Sequence, residues 1–499
     1  MDRPAALLDD VTFSYRDADS PSLSSLSLSV SAGECVLLCG KSGCGKSTVL
    51  RLLNGMIPEF YDGEMRGRVE VAGMDPTSCP QYEIARSVGT VFQNPRTQFY
   101  TLDTTSEMAF GCENQGLPRE EIARRVAGAA ADLGIEDLVG RSIFRLSGGE
   151  KQRVAIAGIY ALDPEVFLLD EPSANLDFPA IRELQRILGL LKSKGKTVII
   201  AEHRSWYLGG IADRAIYLEE GRMVGVYDME ELAGLTHEQR LETGIRPVRL
   251  DTFDIPRADV PTQSPSSHEM RLRDVAFSYS HSRRSERSLS VGDARFAAGR
   301  VEMVLGNNGA GKSTLVSLIC GLDREGRGAV EMDGTQLGAR TRLSLSYEVM
   351  QEVNHQLFCD SVEEEVVLGA ARPDASTLGS VLERMDLGGA RGRHPLTLSG
   401  GQKQRCAIAA AVFCGKRVIA FDEPTSGLDY AHMAETARLL RELADTGAFV
   451  LVVTHDYELV RAVGDRVTKM REGEVVGQYD LDAAGVVRLR RFFGIKPAS

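Results

Sequence analysis

The chain has 499 residues, of which 43% are hydrophobic and 26% charged, with a formal net charge of −12 and a pI near 5.4. That length exceeds one hydrophobic core and predicts two domains of roughly 200–250 residues each. The acidic balance argues against a nucleic-acid partner, whose phosphates favour a basic face. The nine cysteines, odd in number and without paired C-x-x-C spacing, suggest neither a disulfide framework nor a zinc site and fit a reducing compartment.

Met1-Asp2-Arg3-Pro4 carries no apolar signal region. The first buried strand is predicted at Val36-Leu37-Leu38-Cys39, a continuous apolar run suited to a parallel sheet covered on both faces. Gly40-Lys41-Ser42-Gly43-Cys44-Gly45-Lys46-Ser47-Thr48 follows it. This fits G-x-x-x-x-G-K-[ST], in which backbone N–H groups cradle phosphates at a helix start and the lysine reaches the β- and γ-phosphates. Leu146-Ser147-Gly148-Gly149-Glu150 comes next, a serine and two glycines that can form a second anion nest at a helix start. Val166-Phe167-Leu168-Leu169 then ends in Asp170-Glu171, placing two carboxylates at the sheet's carboxyl edge. Asp170, with the Ser47 hydroxyl, suits Mg²⁺, and Glu171 can polarise an attacking water. Residues 180–192 read as an amphipathic crossover helix, and Val198-Ile199-Ile200-Ala201 leads to His203.

A linker is expected over residues 247–268, where Pro247, Pro256, Pro261 and Pro265 forbid a regular helix, between a first domain at 1–246 and a second at 269–499. The second domain repeats the series. Val301–Leu305 precedes Gly306-Asn307-Asn308-Gly309-Ala310-Gly311-Lys312-Ser313-Thr314. Leu398-Ser399-Gly400-Gly401-Gln402, Asp422-Glu423 and His455 follow in order, with Ser313 and Asp422 as the matching metal pair. Ser147 to Ser399, Asp170 to Asp422 and His203 to His455 are each 252 residues apart, whereas Gly40 to Gly306 is 266 and Gln93 to Gln351 is 258. Fixed spacing at the back of each copy and drift at the front predict a rigid core with variable early loops. Part of the extra length in the first copy is expected at residues 55–63. The longest apolar candidate, Cys406 to Cys414, stops after nine residues, far short of the ~20 needed to cross a bilayer, so any membrane role is expected to run through a partner.

With its Leu-Ser-Gly-Gly signatures and trailing Lys-Gln-Arg, the chain resembles the ATP-binding-cassette superfamily over nearly its whole length. The resemblance implies an α/β fold of two tandem nucleotide-binding domains. Each would have a phosphate-loop, RecA-like parallel sheet core, an antiparallel β subdomain and a helical signature subdomain. It also implies ATP and Mg²⁺ as ligands. Tyr15 and Tyr279 would stack on adenine, and Gln93 and Gln351 would sense the metal and relay to a partner. Asp177 and Asp429 would close the loop after each Asp-Glu pair, and His203 and His455 would contact the γ-phosphate. The signature of each domain (Ser147, Gly148 and Gly149; Ser399, Gly400 and Gly401) would cap the nucleotide on the other domain's loop, an intramolecular head-to-tail pairing. The first copy departs from the pattern at Glu150, where Gln is usual. At ~10 Å a carboxylate there would repel a γ-phosphate by roughly 0.4 kcal/mol per unit charge in water.

Residues 91–100 and 349–358, with Ala201-Glu202-His203-Arg204, resemble the ATPases of energy-coupling-factor importers. That implies an integral-membrane coupling protein and a membrane substrate-capture protein for a vitamin or metal ion, with this chain on the cytoplasmic face. Glu107 and Glu365 are expected to offer carboxylates to the partner's arginines beside Gln93 and Gln351. Two other readings remain: a soluble twin cassette acting on ribosomes, and the ATPase of another transporter such as a sugar importer. The first would carry a long basic helical insertion, which is not seen. The second usually has a degraded second site, whereas Lys312 and Glu423 are intact.

Overall fold

The computed structural model describes residues 3–16, 18, 20–174, 176–255, 268–278, 289–351, 353–370, 374–398 and 400–495. Tyr279, Ser399 and residues 256–267 of the expected linker lie outside them. The chain forms two compact units, residues 1–253 with 429–431 and residues 254–428 with 432–499. In the described part of the expected linker, Val248 and Leu250 are buried, and Val248 packs into the first unit's core.

The first unit is built around a six-stranded sheet in the order Val88–Val91, Val166–Asp170, Thr197–Ala201, Cys35–Cys39, Arg214–Glu219, Arg222–Tyr227. All pairs are parallel except the last. The apolar runs are strands because side chains alternate between two covered faces. Leu37, Phe167, Leu169, Val198 and Ile200 point into one core, with Leu133, Val154, Ile181 and Leu188. Val36, Leu38, Leu168 and Ile199 point into another, against helix Lys46–Leu53 and a three-stranded antiparallel sheet of Leu23–Val30, Ala6–Tyr15 and Gly63–Val71. Helices Thr104–Asn114, Arg119–Leu133 and Gly148–Leu162 form the helical part.

In the second unit the same parts join into one ten-stranded sheet. Its parallel core runs Arg466–Arg471, Val301–Leu305, Phe449–Val453, Val418–Asp422, Ser346–Val349. The antiparallel strands Glu269–Phe277 and Leu289–Ala297 attach through one parallel pairing, Ser290 with Glu474. Helices Val362–Val367, Ala375–Arg384 and Gly400–Phe413 correspond to the helical part of the first unit. No helix among the described residues is long and apolar enough to cross a membrane.

Candidate nucleotide sites

Each phosphate loop leaves a fully buried strand and enters a helix, so its N–H groups collect at the positive end of a helix dipole. Glycine is required on backbone grounds. Gly40 has φ 140°, and a Cβ there would lie 2.1 Å from the Leu218 carbonyl oxygen. Gly45 has φ 105°, and its Cβ would meet Leu23 Cδ2 at 2.7 Å. Lys46 Nζ donates to the loop carbonyls of Gly40 and Lys41, both at 3.0 Å, and Lys312 Nζ donates to those of Gly306 at 2.9 Å and Asn307 at 3.1 Å. Both lysines are buried, so the ammonium stands curled into a loop sized for phosphate.

The metal pair is preformed in both units. Ser47 Oγ donates to Asp170 Oδ1 at 3.0 Å and Ser313 Oγ to Asp422 Oδ2 at 2.9 Å. Burial raises the pKa of both aspartates, opposed by those serine hydroxyls. One hydroxyl and one carboxylate are a sparse set. No group of three His, Cys, Asp or Glu residues among those described could hold a metal. That fits Mg²⁺, which takes one or two protein oxygens and leaves the rest to phosphates and water. When bound, the ion would neutralise phosphate charge between these groups.

Glu171 accepts from Gln93 Nε2 at 2.7 Å, and its Oε1 lies 3.7 Å from His203 Nε2. Burial first, then the Glu202 and Asp170 carboxylates, pushes its pKa up to about 8, the range of a general base at neutral pH. In the second unit Glu423 Oε2 accepts from the His455 backbone N–H at 3.2 Å, and Glu423 Oε1 lies 3.6 Å from His455 Nε2. His455 Nε2 is also 3.0 Å from Lys312 Nζ and 3.1 Å from Asn308 Oδ1. Each unit thus gathers phosphate loop, metal pair, acidic residue and histidine at the carboxyl ends of its strands.

The first signature is a helix cap as well as a nest. Ser147 Oγ accepts from Glu150 N at 3.3 Å, and Glu150 Oε2 accepts from Ser147 N at 2.7 Å. The departure at Glu150 closes a capping box on helix Gly148–Leu162, so this carboxylate is engaged locally. Burial raises its pKa, but Ser147 with the Arg141 and Arg153 charges outweighs that and leaves it lowered. Gly149 is needed for packing, since a Cβ would lie 2.9 Å from Ala180 Cβ. Gly400 and Gly401 open helix Gly400–Phe413, whereas Ser399 lies outside the described residues. Asp177 caps helix Phe178–Ser193 by accepting from Ala180 N at 3.0 Å.

The contacts around the histidine loop and the 55–63 stretch were not readable from sequence. Glu202 is buried and accepts from the backbone N–H groups of Ser173, His203 and Arg204 and from Tyr207 Oη, fixing the histidine loop. Arg204, where the second unit has Asp456, is 8% exposed, and its buried Nη1 has no hydrogen-bond partner among the described residues. Trp206 stacks on Phe178 at 4.6 Å. The first-copy stretch 55–63 brings Tyr61 to Tyr15, edge-on at 6.1 Å.

The paired sites on parallel-sheet edges define a twin-domain ATP-binding ATPase. The sequence model described as "ABC transporter" matches residues 23–174 and 289–426, and the chain belongs to that family. It is 43% identical to a "Putative ABC transporter ATP-binding protein" of Treponema denticola, covering 94% of this chain and 96% of the relative. A second relative of that name, from the same organism, is 38% identical over 96% and 97%. Among solved structures, an RNase-L Inhibitor covers 97% of this chain and 93% of its own at 22% identity, with a TM-score of 0.66. The complex of archaeal ribosomal stalk protein aP1 with the ribosome recycling factor aABCE1 matches at 22% identity, covering 97% of this chain and 92% of its own, with a TM-score of 0.65. These structures share the tandem fold. The chain is accordingly an ABC ATPase that binds ATP with Mg²⁺ and hydrolyses it.

Proposed function

We propose that this chain is the ATP-hydrolysing subunit of a membrane importer of energy-coupling-factor type, drawing a vitamin or metal ion through separate membrane partners from the cytoplasmic face. In this reading Glu171 and Glu423 orient water, assisted by His203 and His455. Ser47, Asp170 and Gln93, and Ser313, Asp422 and Gln351, serve the metal. The signatures pair head-to-tail with the opposite phosphate loops.

The observation that carries the reading is an apolar rim repeated in each unit just downstream of the Gln93 and Gln351 segments. Tyr100 is 75% exposed and Phe144 77%, with Leu102 exposed beside them. The loops bearing them are joined by Ile143 N to the Leu102 carbonyl at 3.1 Å and Thr104 N to that of Arg141 at 3.0 Å. At matching places the second unit exposes Phe358 and Leu396, its loops joined by Val362 N to the Arg393 carbonyl at 3.0 Å. Large exposed side chains in the same loops of both copies mark an interaction surface, and an apolar one suits a membrane protein's cytoplasmic helices.

The expected carboxylate docking is corrected here. Glu107 and Glu365 are buried. Glu107 accepts from Tyr100 N, Thr101 N and Thr101 Oγ1. Glu365 accepts from Phe358 N and Cys359 N. These carboxylates shape the loop that presents the aromatic and have no free face for a partner's arginine.

The test is co-purification from native membranes of the full chain and of a Tyr100→Asp/Phe358→Asp variant. Wild type should retain integral-membrane proteins identified by mass spectrometry. The variant should lose them while binding ATP normally. Sedimentation of wild type with ribosomes, with no membrane protein retained, would defeat the importer reading in favour of a soluble cassette.

A further inference from the structure

Tyr15 is held in the first unit by two hydrogen bonds, and chemistry fixes the polarity of the one from Arg51. Arg51 Nη1 donates to the Tyr15 phenol oxygen at 2.9 Å, and that oxygen lies 3.2 Å from Thr48 Oγ1. A guanidinium offers donors only. The phenol oxygen therefore accepts from Arg51, and the arrangement that uses its hydrogen directs it at Thr48 Oγ1. Thr48 then has its own hydrogen to donate, and it makes no other hydrogen bond among the described residues. It is buried in the first turn of helix Lys46–Leu53, next to Ser47 and Lys46. Beside a phosphate loop, the acceptor that a nucleotide brings is a phosphate oxygen.

The chain of bonds is anchored at its far end. Arg51 lies one turn beyond Thr48 on the same helix. Its guanidinium sits 4.3 Å above the centre of the Tyr61 ring, a cation–π contact. Phe13 meets Tyr15 edge-on at 4.8 Å and restrains the ring further. Tyr61 belongs to the stretch with no counterpart in the second copy, and the residue matching Arg51 there, 266 positions on, is Ser317. Neither Arg51 nor Tyr61 is repeated at the matching place in the second copy.

We propose that Arg51 is a positioning residue of the first ATP site. Acting through Tyr15, it fixes the Thr48 hydroxyl as a donor to a nucleotide phosphate, and the matching helix position of the second copy holds Ser317. The proposal rests on the reading of the Lys46 loop as the nucleotide's seat. Polarised chains of this kind strengthen the terminal donor.

The test is equilibrium binding of an N-methylanthraniloyl-labelled ATP to the full chain carrying Lys312→Ala, which silences the second loop. Arg51→Ser should weaken binding roughly three- to tenfold, the worth of one hydrogen bond. The unfolding midpoint without nucleotide should stay within about 2 °C. Tyr15→Phe, which keeps the ring and removes the relay, should cost the same. Combining it with Arg51→Ser should cost no more, as expected of residues acting in series. Arg51→Lys, which keeps a donor, should recover most of the affinity. In a Lys46→Ala background, Arg51→Ser should leave the second loop's binding unchanged. Unaltered affinity in both Arg51→Ser and Tyr15→Phe, or strictly additive losses, overturns the relay. Should Arg51→Ser fail to fold, Tyr15→Phe and Arg51→Lys decide the matter alone. Full binding by the Lys46→Ala/Lys312→Ala chain would instead overturn the phosphate-loop reading beneath it.

Discussion

Glu171 and Glu423 share an unusual backbone. Their φ angles are 44° and 49°, the left-handed region that a glutamate enters at a cost of order 1–3 kcal/mol. Each is held there by the ladder it extends, Glu171 N donating to the Ala201 carbonyl at 2.8 Å and Glu423 N to that of Val453 at 2.9 Å. The bend turns each carboxylate off the strand end toward the histidine loop, and both units adopt it. Glutamine has the same shape and suffers the same strain, but cannot take a proton from water. Glu171→Gln with Glu423→Gln should therefore retain ATP binding while phosphate release falls by ~10²–10⁴-fold. Turnover at the wild-type rate in that double variant would remove both residues from the chemistry.

At the scale of elements, the short loop between each Gln segment and the next helix is organised by one buried carboxylate. Glu107 holds two backbone N–H groups and a hydroxyl, at 2.8–3.1 Å. Asp103 caps the helix that carries Glu107, accepting from Thr105 N and Ser106 N at 3.0 Å. Glu107→Ala would leave those donors unsatisfied in a part-buried site, at about 1–3 kcal/mol. Amide exchange at residues 100–103 should quicken accordingly, and unchanged exchange there would show that the carboxylate is not what holds the loop. Sequence displayed the elements that are contiguous: apolar strands, phosphate loops, Asp-Glu pairs and signature helices each announce themselves within ten residues. It did not display the role of Glu107, because an acidic residue four places before a glycine looks alike on a wet rim and under a folded loop. Nor did it reveal the Arg51–Tyr15–Thr48 chain, whose members come from a strand and a helix. The i+3 spacing of Thr48 and Arg51 was the only local hint. In the parallel core, burial of the strands on both faces was legible from their continuous apolar runs. Whether the antiparallel strands join it in one sheet was not, because a single pairing such as Ser290 with Glu474 leaves no periodic trace.

Across the whole chain, two copies of one topology carry different interiors. Where the first unit has Val36 and Ile216 on neighbouring strands of its core, the second has Glu302 and Thr468. Thr468 donates to Glu302, and Gln478 Nε2 donates to Thr468 at 2.8 Å and to the Arg295 carbonyl at 2.9 Å, tying the antiparallel strand to the core. Burial pushes the Glu302 pKa up to about 7; Thr468 and the Arg466 and Arg300 charges pull against it, and Asp480 adds to it. A carboxyl with a folded pKa above its unfolded one takes up a proton on folding. Its contribution to stability is full below about pH 4.5 and is lost as the pH rises through about 7. The second unit should lose on the order of 3 kcal/mol over that window from this group, an upper figure for a buried carboxyl. The first unit, with Val36 in its place, has no such term. Because two units unfold separately or together, a single midpoint is a poor measure. Labelling of Cys320, 1% exposed within the second unit's core, reports the opening of that unit directly. Between pH 5 and 8, Cys320 should become easier to label in wild type than in Glu302→Gln, each corrected for thiol ionisation in the unfolded chain. A pH dependence identical in the two proteins would mean that Glu302 is already ionised in the fold, and that the Thr468–Gln478 network carries a buried charge instead of a proton.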